Sequence, residues 1–174
     1  MADRKKVTGI ERYFNPHEII VSKTNTKGHI AYANKTFIDI SGFNELEIIN
    51  APHSILRHPD MPRCIFKMMW DTIEAKKEIF AYVINRTKNG DHYWVLAHVT
   101  PSFNQQGEID GYHSNRRVPD PKIVEQIIKP LYKNLLTEEE KHANRKEGMM
   151  AGYNMLLSIL HDKGMNYDEF IFSL

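Results

Sequence analysis

Alternating apolar and polar residues mark several short strands in the first two thirds of the chain. An apolar run within residues 18–23 ends at the turn Asn25–Gly28 and is followed by a second run, a pattern that predicts a β-hairpin. A stronger hairpin is predicted over residues 80–100, where Asn89-Gly90 supplies the positive φ values of a tight turn. Residues 109–118 follow a further turn and predict a fifth strand.

Helical spacing appears between the two hairpins. Asn34 is expected to cap a short helix that Gly42 terminates, and a longer helix is predicted from Met61 to Lys76 because its apolar residues recur every three or four positions. Two strands, several helices and then three strands predict an α+β fold. It is a five-stranded antiparallel sheet with helices on one face.

After residue 118 the hydrophobic period becomes helical throughout. Apolar residues recur at this spacing within 124–135 and 149–160, a kink is expected at Pro130, and Thr137–Glu140 matches a capping box that would start a helix. The predicted organisation is an N-terminal segment (1–17), a folded domain (18–118) and a C-terminal amphipathic helical extension (119–174).

Composition narrows the class of protein. The hydrophobic fraction of 41% is enough for a core, and a net charge of +1 gives no general attraction to nucleic acid or anionic lipid. No apolar run reaches the roughly 18–20 residues of a membrane span, and the polar N-terminus lacks a signal-peptide apolar stretch. The expectation is a soluble, cytoplasmic protein without direct membrane insertion. The single cysteine, Cys64, excludes an internal disulfide.

The hexapeptide Arg57-His58-Pro59-Asp60-Met61-Pro62 concentrates the polar chemistry of the chain. Its prolines restrict the backbone, so a guanidinium, an imidazole and a carboxylate are held on a stiff segment beside the long helix. Such an arrangement is typical of a small-molecule pocket. The alternative is a simple helix start, with Asp60 as the N-cap and Pro62 in the first turn, which leaves Arg57 and His58 without a role.

No catalytic or metal-binding motif is recognisable. The chain has no nucleophile with a base at motif spacing and no phosphate-cradling glycine loop. None of the nine histidines stands at a convincing zinc-ligand spacing from another histidine with a carboxylate or cysteine. A binding protein without a zinc site is therefore predicted, and not an enzyme.

Short motifs between residues 18 and 118 point to a family. They are His29-Ile30-Ala31-Tyr32-Ala33-Asn34, Ser41-Gly42-Phe43, Pro52-His53, the hexapeptide, Met69-Trp70, Lys88-Asn89-Gly90-Asp91-His92-Tyr93-Trp94-Val95, Thr100-Pro101 and Gly111-Tyr112. With the order of the elements, they resemble the flavin-binding PAS domains of bacterial aerotaxis and energy-taxis receptors. The resemblance implies a PAS fold, residues 18–118 as the sensor domain, and non-covalent binding of FAD.

The resemblance also implies which residues contact the cofactor: Asn34, Arg57, His58, Asp60 and Asn85. An arginine fork suits a pyrophosphate, and an asparagine amide can both donate and accept at the flavin pyrimidine edge. Phe66 and Trp70 are expected either to line the ring site or to belong to the core. One position departs from the family: Ile79 stands where a tryptophan usually packs on the cofactor, with Phe80 or Tyr82 as possible substitutes.

Two other readings of the pocket stay open. The first is a gas sensor that holds haem b through His53 or His58 as the axial ligand. The second is an adapter without a cofactor, which Ile79 favours. Light-sensing PAS domains need a cysteine on the short helix where this chain has His53, so Cys64, on the next helix, is expected to be a buried core residue.

The resemblance implies a soluble redox or oxygen sensor that passes its state by contact to a membrane chemoreceptor. Trp94 and Leu96 are expected to point away from the pocket if Val95 points inward. They would form a docking surface or be covered by the chain's own termini. The helices of residues 121–164 are expected to hold the receptor, form a homodimer or pack on the sheet.

Overall fold

The computed structural model describes residues 7–174, so residues 1–6 of the predicted N-terminal segment lie outside the described part. The strands are β1 Ile20–Asn25, β2 Ile30–Ala33, β3 Ile79–Arg86, β4 His92–Phe103 and β5 Ile109–Arg117. They form one antiparallel sheet in the order β2-β1-β5-β4-β3. The predicted five-stranded antiparallel sheet is confirmed, and β2 and β3 are its edges.

Helices between β2 and β3 pack against the sheet. They are α1 Lys35–Ser41, α2 Glu45–Ile48, a 3₁₀ turn His53–Leu56 and α3 Arg63–Glu74. Asn34 caps α1 by accepting a hydrogen bond from the Phe37 N–H, and Gly42 ends it in the left-handed region at φ 73°. The alternative in which Asp60 caps the long helix is wrong, because α3 begins directly after Pro62, which makes no side-chain cap bond.

The C-terminal extension is helical, as predicted. Its helices are α4 Pro121–Ile123, a π-helical turn Val124–Ile128, α5 Lys129–Glu140, α6 Arg145–Asp162 and α7 Tyr167–Phe172. The irregular turn lies just before Pro130, which has no N–H to donate, and so falls where a kink was predicted. The predicted helix start at Thr137–Glu140 is wrong. These residues form the last turn of α5, and α6 begins after Asn144, which caps it.

The C-terminal helices cover the β3 edge of the sheet and part of its outer face. The Tyr132 hydroxyl in α5 donates to the carbonyl of Tyr82 in the edge strand. Its ring lies 6.0 Å from that of Trp94, and Phe80 contacts Phe172 of α7 at 4.9 Å between centroids. Trp94 is buried and Leu96 partly buried. The docking surface considered for Trp94 is therefore covered within the same chain.

Residues 8–12 run beside the start of β4. The Thr8 N–H bonds the Gly90 carbonyl and the Arg12 N–H bonds the His92 carbonyl. The Asp91 carboxylate accepts from the Thr8 hydroxyl and from Arg12 Nε, both at 2.6 Å, and these bonds lower the pKa of Asp91 to about 2. Of the Asn-Gly pair in the preceding turn, only Gly90 takes a positive φ.

Candidate functional site

A cavity of about 220 Å³ lies between α3 and the inner face of the sheet. The helix contributes an apolar wall, and the facing strands supply both apolar and polar side chains. The helix residues are Phe66, Met69, Trp70 and Ile73, and the strand residues are Ser22, Thr24, Val83, Ala97, Val99, Tyr112, Ser114 and Arg116. Because Ala97 and Val99 face the cavity, Val95 shares the inner face, as predicted for alternation along β4.

Three of the seven predicted contact residues line this cavity: Arg57, Phe66 and Trp70. The Arg57 guanidinium carbon lies 4.4 Å from the centre of the Phe66 ring, a cation–π contact. Partial burial, with the nearby Arg63 and Arg145 guanidinium groups, lowers the pKa of Arg57. The Trp70 ring contacts Tyr112 edge-to-face at 5.3 Å, so it is packed against the strand opposite.

Asn34, His58 and Asp60 lie outside the cavity lining. The Asn34 amide is occupied locally, accepting from the N–H groups of Val21 and Phe37 and donating to the Ile19 carbonyl. His58 is buried, and its Nδ1 accepts from the Asp60 N–H at 3.1 Å. The Asp60 side chain is exposed. Contact of these three residues with a cofactor stays a prediction.

Asn85 is held next to Arg57 by a backbone bridge between β3 and the hexapeptide. It is also outside the cavity lining, yet its side chain is buried and its Nδ2 has no hydrogen-bond partner within residues 7–174. An unpaired buried amide is costly, so such groups in native proteins are usually satisfied by a ligand or water. Asn85 therefore keeps its capacity to donate to a bound molecule.

The most unusual group in the site, Arg116, was missed by sequence reasoning. It is 3% exposed and lines the cavity, where Nη2 donates to Ser22 Oγ at 2.8 Å and lies 2.7 Å from His53 Nε2. Nη1 has no partner among the described residues. Burial lowers the pKa of Arg116 to about 10. Alternation along β5, which puts Tyr112, Ser114 and Arg116 on one face, is the signal that could have found it.

His53 adjoins Arg116 as a neutral acceptor. Burial, and then the charge of Arg116, lower the pKa of His53 to about 3. The guanidinium supplies only N–H donors, so His53 Nε2 carries the lone pair and accepts. That lone pair is the one an axial haem ligand would need, and His58 lies outside the cavity lining. The arrangement does not favour iron ligation. Within residues 7–174 no group of three or more His, Cys, Asp or Glu residues is placed to hold a metal ion.

Ile79, which occupies the position of the family tryptophan, is buried in the core. The two residues considered as substitutes for that tryptophan, Phe80 and Tyr82, face away from the cavity. Phe80 stacks on His98 with ring centres 4.2 Å apart, on the outer face. Tyr82 does not line the cavity either. The aromatic lining comes instead from Phe66, Trp70 and Tyr112.

The neutral His53 makes the protein acid-sensitive. The unfolded chain holds this group at its ordinary pKa of 6.5, so below pH 6.5 protons bind the unfolded state first and stability falls until about pH 3. Between pH 6.5 and 4.5 this one group is expected to cost about 2 kcal/mol. His53→Gln, which keeps an acceptor for Arg116, should flatten that loss in urea unfolding at the two pH values. Exposed His17→Gln is the control, and equal losses in all three proteins would contradict the prediction.

Comparison with known proteins places the chain in a family. The PAS fold family matches residues 30–116. The aerotaxis receptor of Escherichia coli strain K12 is 42% identical over 117 residues, which are 67% of this chain and 22% of the receptor. The nitrogen fixation regulatory protein of Klebsiella pneumoniae is 29% identical over 99 residues, 57% of this chain and 20% of that protein. The chain thus spans about a fifth of the length of these relatives.

Solved structures agree on the fold. The light-state structure of the blue-light photoreceptor Aureochrome1 LOV superposes with a TM-score of 0.56 at 18% identity, covering 64% of this chain and 89% of that one. The PAS domain of the fruit-fly ELK potassium channel gives 0.51 at 20% identity, covering 57% and 85%. The resemblance to aerotaxis-receptor PAS domains is confirmed, and no helix within residues 7–174 is long and apolar enough to cross a membrane. The chain belongs to the family of proteins with the PAS fold.

Proposed function

We propose that this protein binds FAD non-covalently and reports redox state or oxygen to a signalling partner by protein contact. The observation that carries the proposal is Arg116, a buried guanidinium on the cavity wall that has, within residues 7–174, an unpaired N–H and no carboxylate partner. A buried cation without a counter-charge is expensive. Its presence is understandable if the cavity holds an electron-rich group.

The described residues fit a flavin. Among the buried polar atoms that have no partner within residues 7–174, Ser114 Oγ and Arg116 Nη1 belong to residues that line the cavity, and Asn85 Nδ2 belongs to a residue bridged to Arg57. These three groups can donate to the carbonyl and nitrogen acceptors of a flavin ring edge. The cavity of about 220 Å³ is below the roughly 300–1,000 Å³ of whole-ligand pockets, which suits a ring system with the rest of a dinucleotide outside. Arg57, at the edge of the cavity, would hold the pyrophosphate.

When bound, a flavin supplies reversible electron transfer. The chain's own residues decide how the site responds to added negative charge. Arg116 places a positive charge in low-dielectric surroundings, where its effect is larger than in water. His53 stays neutral and accepts from Arg116, so it orients the guanidinium without adding a second charge.

Light-driven adduct formation is not part of the proposal. Cys64 does not line the cavity, and burial together with Glu139 raises the pKa of its thiol. A reactive cysteine needs the opposite environment. The proposed partner is a membrane chemoreceptor, in keeping with the similarity to an aerotaxis receptor.

Purified wild-type protein is expected to be yellow, with the two visible absorption bands of an oxidised flavin. Arg57→Ala should lose FAD affinity by about tenfold or more, since a charge-assisted hydrogen bond contributes roughly 1.5–3 kcal/mol and 1.4 kcal/mol is tenfold. Exposed Arg117→Ala is the matched control and should keep its colour. A sharp Soret band would indicate haem b instead. A folded protein that is colourless and takes up no added FAD would contradict the proposal and favour the adapter without a cofactor.

A further inference from the structure

A buried glutamate from the C-terminal extension caps the helix that forms the cavity wall. Glu139, in the last turn of α5, is 2% exposed. Its Oε1 accepts from the Cys64 N–H at 2.8 Å, and its Oε2 accepts from the Arg63 N–H at 3.2 Å. Pro62 provides no side-chain cap. The first free N–H groups of α3 are therefore satisfied by a residue 75 positions away in sequence.

Glycines in α6 make this cap possible. A Cβ atom on Gly152 would lie 2.8 Å from Glu139 Cγ, and one on Gly148 would lie 2.2 Å from the Glu139 carbonyl oxygen. The absence of side chains at both positions lets α6 close over the glutamate. Arg63 Nη1 adds a second tie by donating to the Arg145 carbonyl at 3.0 Å. The cap thus depends on α5 and α6 being docked together.

The capped helix is the apolar wall of the cavity. Phe66 and Trp70, which line the cavity, follow Cys64 within two turns of α3. A helix moves as a rigid rod over this length, so a shift at Arg63 displaces the ring of Trp70. Trp70 also lies against the loop at Gly28, where an added Cβ would meet its ring at 3.3 Å. The part of α3 that lines the cavity therefore has little room to move unless the N-terminus of α3 moves with it.

We propose that Glu139 is a positioning residue that couples docking of the α5–α6 pair to the state of the cavity. A molecule that fits the cavity favours one position of α3, and the same position favours the Glu139 cap. If ligand binding in the cavity strengthens docking of α5 and α6, then docking must strengthen ligand binding by the same factor, because linked equilibria are reciprocal. The identity of the ligand as FAD rests on the proposed function, whereas the coupling between α3 and the extension does not.

The first test needs no cofactor. In a Trp94→Phe background, Trp70 is the remaining tryptophan and its fluorescence reports on the cavity wall. Glu139→Gln keeps the size of the side chain but removes the charge, and exposed Glu140→Gln is the matched control. Under conditions where all variants are folded, acrylamide quenching of Trp70 should increase for Glu139→Gln and not for Glu140→Gln. Gly152→Ala, which crowds Glu139 without changing charge, should act in the same direction.

The second test measures the linkage itself. In the full chain, Glu139→Gln should weaken FAD binding by about fivefold, the low end of couplings between linked sites. FAD should slow amide hydrogen exchange in α6 of the wild type but not of Glu139→Gln. Loss of stability with unchanged quenching and unchanged FAD affinity would make Glu139 a structural cap only and overturn the proposal. If the wild type binds no FAD, the proposed function fails, and the Trp70 measurement alone decides the coupling.

Discussion

Replacing Arg116 with methionine is expected to leave the ligand-free protein as stable as the wild type, or more stable by about 1–2 kcal/mol. The pKa of Arg116 falls from 12.5 to about 10 on burial. This shift means that folding destabilises the charged form by roughly 3 kcal/mol. The variant loses the hydrogen bonds to Ser22 and His53, at about 1 kcal/mol each. If Arg116 were present to stabilise the fold, its replacement with methionine would instead lower the stability of the ligand-free protein.

The same variant should impair the cavity. Without the guanidinium, FAD affinity should fall and the midpoint potential of the bound flavin should become more negative, by about 59 mV for each tenfold change in a one-electron step. Thermal unfolding of the ligand-free protein and a spectroscopic redox titration measure the two effects. Exposed Arg117→Met is the control. Clear destabilisation with an unchanged potential would show that Arg116 is structural.

Gly148→Ala is expected to destabilise the protein by about 3 kcal/mol or more, at the upper end of overpacking costs. The new Cβ would lie 2.2 Å from the carbonyl oxygen of Glu139 and 3.1 Å from its carbonyl carbon. These are backbone atoms, which cannot rotate away as a side chain can, so α6 must move off α5. In a free helix the same change would stabilise, since alanine exceeds glycine by roughly 1 kcal/mol in helix propensity.

Urea unfolding of the variant and hydrogen exchange in α5 and α6 measure this effect. Exposed Asn154→Ala on the same helix is the control, because it improves helix propensity at a solvent-exposed position. We expect the control to gain a few tenths of a kcal/mol. A gain in stability for Gly148→Ala as well would mean that α6 is not packed on α5.

Local sequence patterns predicted the helix boundaries correctly where the capping contact lies within a few residues. They were wrong where the contact comes from a residue far away in the sequence. The Asn34 cap and the Gly42 stop depend on bonds within a few residues, and both are as predicted. Asp60 has the right chemistry for an N-cap, yet α3 takes its cap from Glu139. The Thr137–Glu140 pattern matches a helix start, but α5 begins at Lys129 and continues through these residues.

The amino-acid sequence alone determined the strand and helix order, the family, and the place of Arg57, Phe66 and Trp70 beside a pocket. The element order follows from periodicity and from turn and cap chemistry, and the pocket from the proline-restricted hexapeptide beside an apolar helix, all of which act between near neighbours. The family follows from the resemblance of the short motifs. Only the tertiary structure decided that Arg116 meets Ser22 and His53, residues 94 and 63 positions away, and that the extension covers Trp94. Side-chain pairs so far apart along the chain are brought together by sheet register and helix packing, which no local pattern encodes.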